Sequence, residues 1–249
     1  MATGNKSESA LQMFDESGVT HACWSCGDMR AAHFCDSCGK LQPAVPTDYF
    51  NFFGLPRKLN VDVATLEGEF YKLSRKLHPD VYARATGQEQ EWSLEKSSQL
   101  NDAYRTLRDP IARTEYLLKV EGVQLEEQSK AATDKARQTG EEKKQVIPPE
   151  LLEEVFELNM QLEEARMNKK TGERDAELMH ELEATRNDLQ GKHDALMEEL
   201  RGYWTEWDAL PDGADQAQRK PVRDKMVGLL NRRSYFRNLV RDVNEVLED

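Results

Sequence analysis

The chain has 249 residues, 38% hydrophobic and 32% charged, a balance too polar for one large core, yet four Trp and 8% aromatics exclude a fully disordered chain. Forty-six acidic against 34 basic residues give a formal charge of −12, and a surface that acidic repels phosphate backbones, which excludes nucleic acid as the main partner. No apolar run approaches the length that a membrane-spanning helix needs, so no membrane partner is expected.

Residues 1–20 read as a disordered leader. Met1 to Gly18 is polar and carries Glu8, Asp15 and Glu16. A secretory signal needs an apolar stretch, and a transit peptide is Arg-rich and poor in acids. The expected compartment is therefore the cytoplasm, where thiols stay reduced.

Residues 21–45 hold all four cysteines as Cys23-Trp24-Ser25-Cys26 and Cys35-Asp36-Ser37-Cys38. Two residues between thiolates let one tight turn aim both sulfurs at one point. Gly27 and Gly39 follow the pairs and can take the positive φ of such turns. Four thiolates in this spacing fit one tetrahedral, closed, structural Zn2+. A redox CxxC would follow a strand in a βαβ pattern, and none is visible. So short an element has little core, and the metal is expected to supply most of its folding energy. His21 and His33 flank the cluster as expected outer neighbours or solvent-facing groups. Only Arg30 and Lys40 lie near it, beside Asp28 and Asp36, which argues against an RNA-binding knuckle.

Residues 48–122 mix aromatics, Leu and basic residues. Asp62 can cap a helix that runs to about Leu77, with Leu66, Phe70, Leu73 and Leu77 on one face. Lys72, Arg75 and Lys76 lie off that stripe as a basic patch on an acidic protein. Pro79 disfavours helix at His78 and stops the helix at His78-Pro79-Asp80. A second helix is expected over about Glu89–Leu107, with Leu100, Ala103, Tyr104 and Leu107 on its apolar face. The pair forms a helical hairpin.

These residues carry a resemblance. The entry segment Asp48-Tyr49-Phe50-Asn51-Phe52-Phe53-Gly54-Leu55, the basic helix, Leu77-His78-Pro79-Asp80 and Asn101-Asp102-Ala103-Tyr104-Arg105 together resemble a J-domain. This module stimulates ATP hydrolysis by 70-kDa heat-shock-class chaperones. The run Ile111-Ala112-Arg113-Thr114-Glu115-Tyr116-Leu117-Leu118 resembles one subfamily, the HscB-type co-chaperones of iron–sulfur cluster assembly. A preceding four-cysteine element resembles its longer, eukaryote-like members. There is no Gly/Phe-rich segment of the kind that general J-proteins carry. The resemblance covers roughly residues 21–249 and implies that His78, Pro79 and Asp80 contact the ATPase chaperone. It also implies that Lys72, Arg75 and Lys76 dock on an acidic surface of it. Read without the resemblance, the tripeptide is a helix-stop turn and the charges a solvated face.

Residues 123–146 are polar and read as a linker. Residues 147–249 read as three helices, about Pro149–Met167, Glu173–Asp208 and Gln216–Leu247, broken at Thr171-Gly172 and Pro211-Asp212-Gly213. Core stripes are expected at Leu151, Val155, Leu158 and Leu162; at Leu178, Leu182, Leu189, Leu196, Tyr203 and Trp207; and at Val222, Met226, Leu229, Phe236, Val240, Val243 and Leu247. His180 and His193 fit surface positions. Leu152, Phe156 and Met160 fall off the first stripe, as do Tyr235 and Leu239 on the third helix. Such residues either widen the core or form an exposed patch. The resemblance places the binding surface for an IscU-type iron–sulfur scaffold on these two helices, at Leu152, Phe156 and Tyr235. Periodicity adds Met160.

The expected fold is all-α: a J-domain hairpin joined to a C-terminal three-helix bundle, preceded by a zinc knuckle. The expected function is that of a co-chaperone which activates an HscA/DnaK-like ATPase while the bundle delivers the scaffold. It is not itself an enzyme, because no P-loop or nucleophile–base pair is present. The alternative is a general J-protein presenting unfolded clients. The zinc element is expected to pack on the J-domain. Self-association, as a homodimer, or contact with another assembly factor stays open.

Overall fold

The computed structural model describes residues 22–28, 33–123, 125, 152–172, 175–211 and 213–248. The expected leader, most of the expected linker, His21, Arg30, Pro149 and the stripe residue Leu151 lie outside these. The described residues fall into two compact units, one ending at Val120 and the other beginning at Glu121.

The first unit is built on α1 (Tyr49–Phe52), α2 (Val63–Leu77), α3 (Gly87–Arg108) and α4 (Pro110–Val120). Each start has a local cause. Asp48 accepts the Asn51 N–H and is clamped by Arg57 at 2.6 Å. Asp62 caps α2 through the Ala64 N–H, and its carboxyl is held low chiefly by the Thr65 hydroxyl. Thr86 and Glu89 close a reciprocal capping box at α3. Asp109 accepts from the Ile111 and Ala112 N–H groups, with Pro110 at the first helical position. The α2 stripe turns inward, so Leu66 and Leu77 are fully buried, with Phe70 stacked on Tyr104 of α3.

The second unit is a bundle of α5 (Leu152–Thr171), α6 (Ala176–Asp208) and α7 (Gln216–Glu248). The helix ends fall within a few residues of their expected places. Helices α6 and α7 pack along their length, and α5 lies against both. Asp175 caps α6 through the Glu177 and Leu178 N–H groups, and Asp215 and Gln218 exchange bonds at the start of α7. Val155, Leu158 and Leu162 are buried as expected. On α6 the core runs Leu196, Leu200, Trp204 and Trp207, whereas Tyr203 is only half buried. Tyr203 instead bonds Glu199 at 2.9 Å and lies under Lys225. Steps of four, four and three keep one face inward, and position 203 falls off that track.

Candidate functional site

Three features carry chemistry: the turn after α2, the cysteine cluster and the outer face of α5.

At the end of α2 the backbone leaves the helix at His78, with ψ of 133°, and re-enters as a short 3-10 turn over Pro79–Tyr82. Pro79 enforces the break. The carbonyl of Leu77, left without a helical donor, accepts the hydroxyls of Ser93 at 2.6 Å and Ser97 at 2.8 Å from α3. That pair pins the turn to the hairpin. His78 Nδ1 accepts the Asp80 N–H at 3.3 Å, so in the neutral ring the proton sits on Nε2. The His78 and Asp80 side chains are 55% and 91% exposed. A rigid turn thus offers a ring N–H and a carboxylate to a partner. Lys72, Arg75 and Lys76 are exposed along the preceding helix. Lys72 is tethered to Glu69 at 3.1 Å, and Lys76 holds its ammonium 5.7 Å from the ring centre of Phe34.

The cysteine cluster is assembled as the spacing requires. Gly27 and Gly39 have φ of 75° and 71°, each ending a turn in which its N–H reaches back to the first cysteine of the pair. All four sulfurs lie within 4.8 Å of one another, with Cys23–Cys38 and Cys26–Cys35 both at 3.6 Å. Tetrahedral thiolate coordination of an ion such as Zn2+ puts sulfurs about 3.8 Å apart, so the donor set fits a metal ion. Electrostatics agrees. Burial opposes ionisation of Cys23, but the Cys26 and Ser25 N–H groups, Cys38 and the Gln42 amide pull its thiol down to about 6. For Cys26 the Asp28 N–H favours ionisation, yet desolvation and the neighbouring sulfurs drive it up to about 12. One thiolate forms readily and suppresses the next, and a cation between them removes that conflict.

This element is not a free-standing knuckle. Leu41 is 1% exposed and belongs to the same buried cluster as Phe52, Leu77, Leu100 and Ala103, with Phe34 packed against it. Trp24 donates to the Leu41 carbonyl at 2.7 Å and meets Trp92 of α3 edge-on. His33 packs on Phe52 and bonds its carbonyl at 2.8 Å. Burial, with Lys96 nearby, lowers this imidazole to about 4, which keeps it neutral. The sequence expectation set His33 beside the metal or in solvent, and the structure packs it on α1 instead. The element packs on the hairpin as expected, though the residues that do so, Leu41 and Phe34, were not legible in the spacing.

On α5 the residues Leu152, Phe156 and Met160 are 52%, 66% and 61% exposed. Met167, which sequence reasoning missed, is 55% exposed on the same stripe, seven residues beyond Met160. The centre of this stripe stands about 145° around the helix from Val155, Leu158, Leu162 and Ala165, so it does not widen the core. Tyr235 is a correction: it is buried, 3% exposed, as is Leu239. Helix α7 packs on both α5 and α6, and Phe236 and Leu239 line one cavity with Val155, Leu158 and Leu189, so its inward face is broader than a two-helix stripe. Burial pushes the Tyr235 phenol up to about 12, and its hydroxyl has no hydrogen-bond partner among the described residues.

Residues 48–116, from α1 into α4, match the DnaJ domain family. Comparison with whole proteins extends this beyond the DnaJ match. A co-chaperone protein HscB homolog of Bordetella avium is 30% identical over 156 residues, which cover 63% of this chain and 83% of that protein. The chain belongs to the HscB co-chaperone family. An iron-sulfur cluster co-chaperone protein HscB homolog of Arabidopsis thaliana is 34% identical over 60% of this chain and 53% of its own length. Across the first curated HscB relatives, the matched region spans between 53% and 64% of their length. The crystal structure of human co-chaperone protein HscB aligns over 90% of this chain and 97% of that one, with a TM-score of 0.60 and 24% identity, a likeness of fold. The all-α HscB architecture read from the sequence is therefore the one observed. His78-Pro79-Asp80 and the basic face of α2 lie inside the DnaJ match.

Proposed function

We propose that this protein is a bridging co-chaperone of iron–sulfur protein maturation. The exposed His78-Pro79-Asp80 turn, pinned by Ser93 and Ser97, docks on a heat-shock-class ATPase chaperone and stimulates its ATP hydrolysis. Lys72, Arg75 and Lys76 steer the approach to an acidic surface, which raises the on-rate more than the affinity. The outer face of α5, at Leu152, Phe156, Met160 and Met167, takes an IscU-type scaffold. Tyr235, buried within the bundle, is not offered to the partner. Holding both partners makes the encounter of client and chaperone effectively intramolecular.

The protein acts as an activator, and ATP hydrolysis stays with the chaperone. The metal is one structural Zn2+ held by Cys23, Cys26, Cys35 and Cys38. Four protein thiolates leave no open position for catalysis, and reduced thiols suit the cytoplasm. Functional segments at 21–45, 48–122 and 147–249 follow from this reading.

The observation that carries the proposal is the combination, in one HscB-family chain, of an exposed His78-Pro79-Asp80 turn and a large apolar stripe facing away from its own core. Single-turnover ATP hydrolysis by the chaperone tests the first half. The wild-type chain accelerates it, and His78→Gln abolishes the acceleration while the melting temperature holds. Equal acceleration by His78→Gln would refute the docking role of the turn.

A further inference from the structure

The cysteine element meets the docking helix at its last turn. Leu41 lies in the cluster that buries Leu77, the residue before His78. Phe34, paired with Leu41 by an antiparallel backbone bridge, packs against that cluster, and its ring lies beneath the Lys76 ammonium. The link back to the sulfurs is equally short. The Gln42 amide, fully buried, donates to Cys23 Sγ at 3.4 Å, and the Gln42 N–H bonds the His33 carbonyl at 2.9 Å. Trp24, between Cys23 and Cys26, donates to the Leu41 carbonyl. The second cysteine turn thus joins Phe34 to Leu41, and the first, through Cys23 and Trp24, ties down the Leu41–Gln42 end.

We propose that the four-cysteine element is a metal-set positioning device for the chaperone-docking end of α2. With the ion bound, Phe34 and Leu41 hold Lys76 and Leu77, and through them the His78-Pro79-Asp80 turn. With the ion gone, that end of the helix opens. Phe34 and Leu41 are positioning residues. The hairpin itself keeps supports of its own, the Asp62 cap and the Phe70–Tyr104 stack, which are made within residues 62–104. Loss of the ion therefore lowers the population of the docking-competent turn without unfolding α2 and α3, and the apparent affinity for the chaperone falls by that population. The docking consequence rests on the function proposed above; the opening of the helix end does not.

The test uses the full chain, loaded with Zn2+ or stripped by chelator, with bound metal measured directly. Phe34→Leu and Leu41→Ala are compared with Leu41→Met, all with metal retained. Amide hydrogen exchange needs no chaperone. Stripping is expected to speed exchange of residues 74–77 by about tenfold and to leave α4 unchanged. In chaperone ATPase titrations the half-stimulating concentration is expected to rise about tenfold while the plateau stays. Phe34→Leu and Leu41→Ala shift both readouts the same way, and Leu41→Met restores them. Unchanged exchange at 74–77 after metal loss, or a uniform rise over α2, α3 and α4, would overturn the positioning claim. Faster exchange with an unchanged titration would overturn the docking consequence. A Zn2+-loaded chain that stimulates no chaperone would instead overturn the function proposed above, and exchange alone would then decide the positioning claim.

Discussion

Phe156 and Leu158 sit two residues apart on α5 and on opposite sides of it: Phe156 is 66% exposed and Leu158 only 3%. The same helix thus buries one apolar face and presents another. The two positions should respond oppositely. Phe156→Ala should weaken scaffold binding about tenfold or more, with stability changed by no more than about 0.5 kcal/mol. Leu158→Ala should cost about 2–5 kcal/mol of stability through the cavity it leaves. Calorimetric titration and denaturant melts separate the two. A Phe156→Ala chain that unfolds while keeping its affinity would make the outer stripe core.

Metal removal should act on the first unit. Cys23→Ser should abolish stoichiometric metal binding, read by elemental analysis. Chelation should lower the first melting transition by at least about 5 °C, because small closed sites contribute folding energy outright. The bundle transition should not move. Unchanged metal content in Cys23→Ser would refute the assignment of the ligands.

Leu77 offers a test of the turn itself. Its carbonyl receives two hydroxyls, so Ser93→Ala should cost about 1 kcal/mol and the Ser93→Ala/Ser97→Ala pair about 2–3 kcal/mol, as the last acceptor is left buried. Denaturant midpoints report the difference. Equal costs for the single and double variants would mean that Ser97 does not share the load.

Glu89 links the capping box to the metal element. Burial raises its carboxyl, but the Thr86 hydroxyl and N–H and the Lys40 ammonium outweigh that and hold it below the usual range. A folded value below the unfolded one contributes stability that is fully present above the unfolded value. That stability fades as pH falls through the folded value. Melting temperature should therefore drop on acidification below about pH 4.5, the ordinary Glu value, and Glu89→Gln should flatten that drop. An identical acid limb in Glu89→Gln would exclude this contribution.

The helices were legible in the sequence because their causes are local. Asp62 and Pro79 bound α2, and steps of three and four residues marked α5, α6 and α7 to within a few positions. The cysteine cluster was legible because two-residue spacing and Gly27 and Gly39 dictate the turns. What was not legible depends on packing between segments. Leu41 carries no periodic signal in an extended stretch, yet it completes the core beside Leu77. Tyr235 fell off the single stripe assigned to α7, whereas α7 packs on both α5 and α6 and buries a broader face. Met167 did have a signal, the seven-residue step from Met160.

The central claim is that one molecule joins chaperone and scaffold, and steady-state ATPase of the chaperone tests it most directly. This chain and the iron–sulfur scaffold are each added alone and together, with His78→Gln and Phe156→Ala run in parallel. The account predicts stimulation by the pair well beyond the sum of the two alone, lost in His78→Gln and reduced to the scaffold-free level in Phe156→Ala. Stimulation that ignores the scaffold, with Phe156→Ala indistinguishable from wild type, would contradict the bridge and leave a general J-protein.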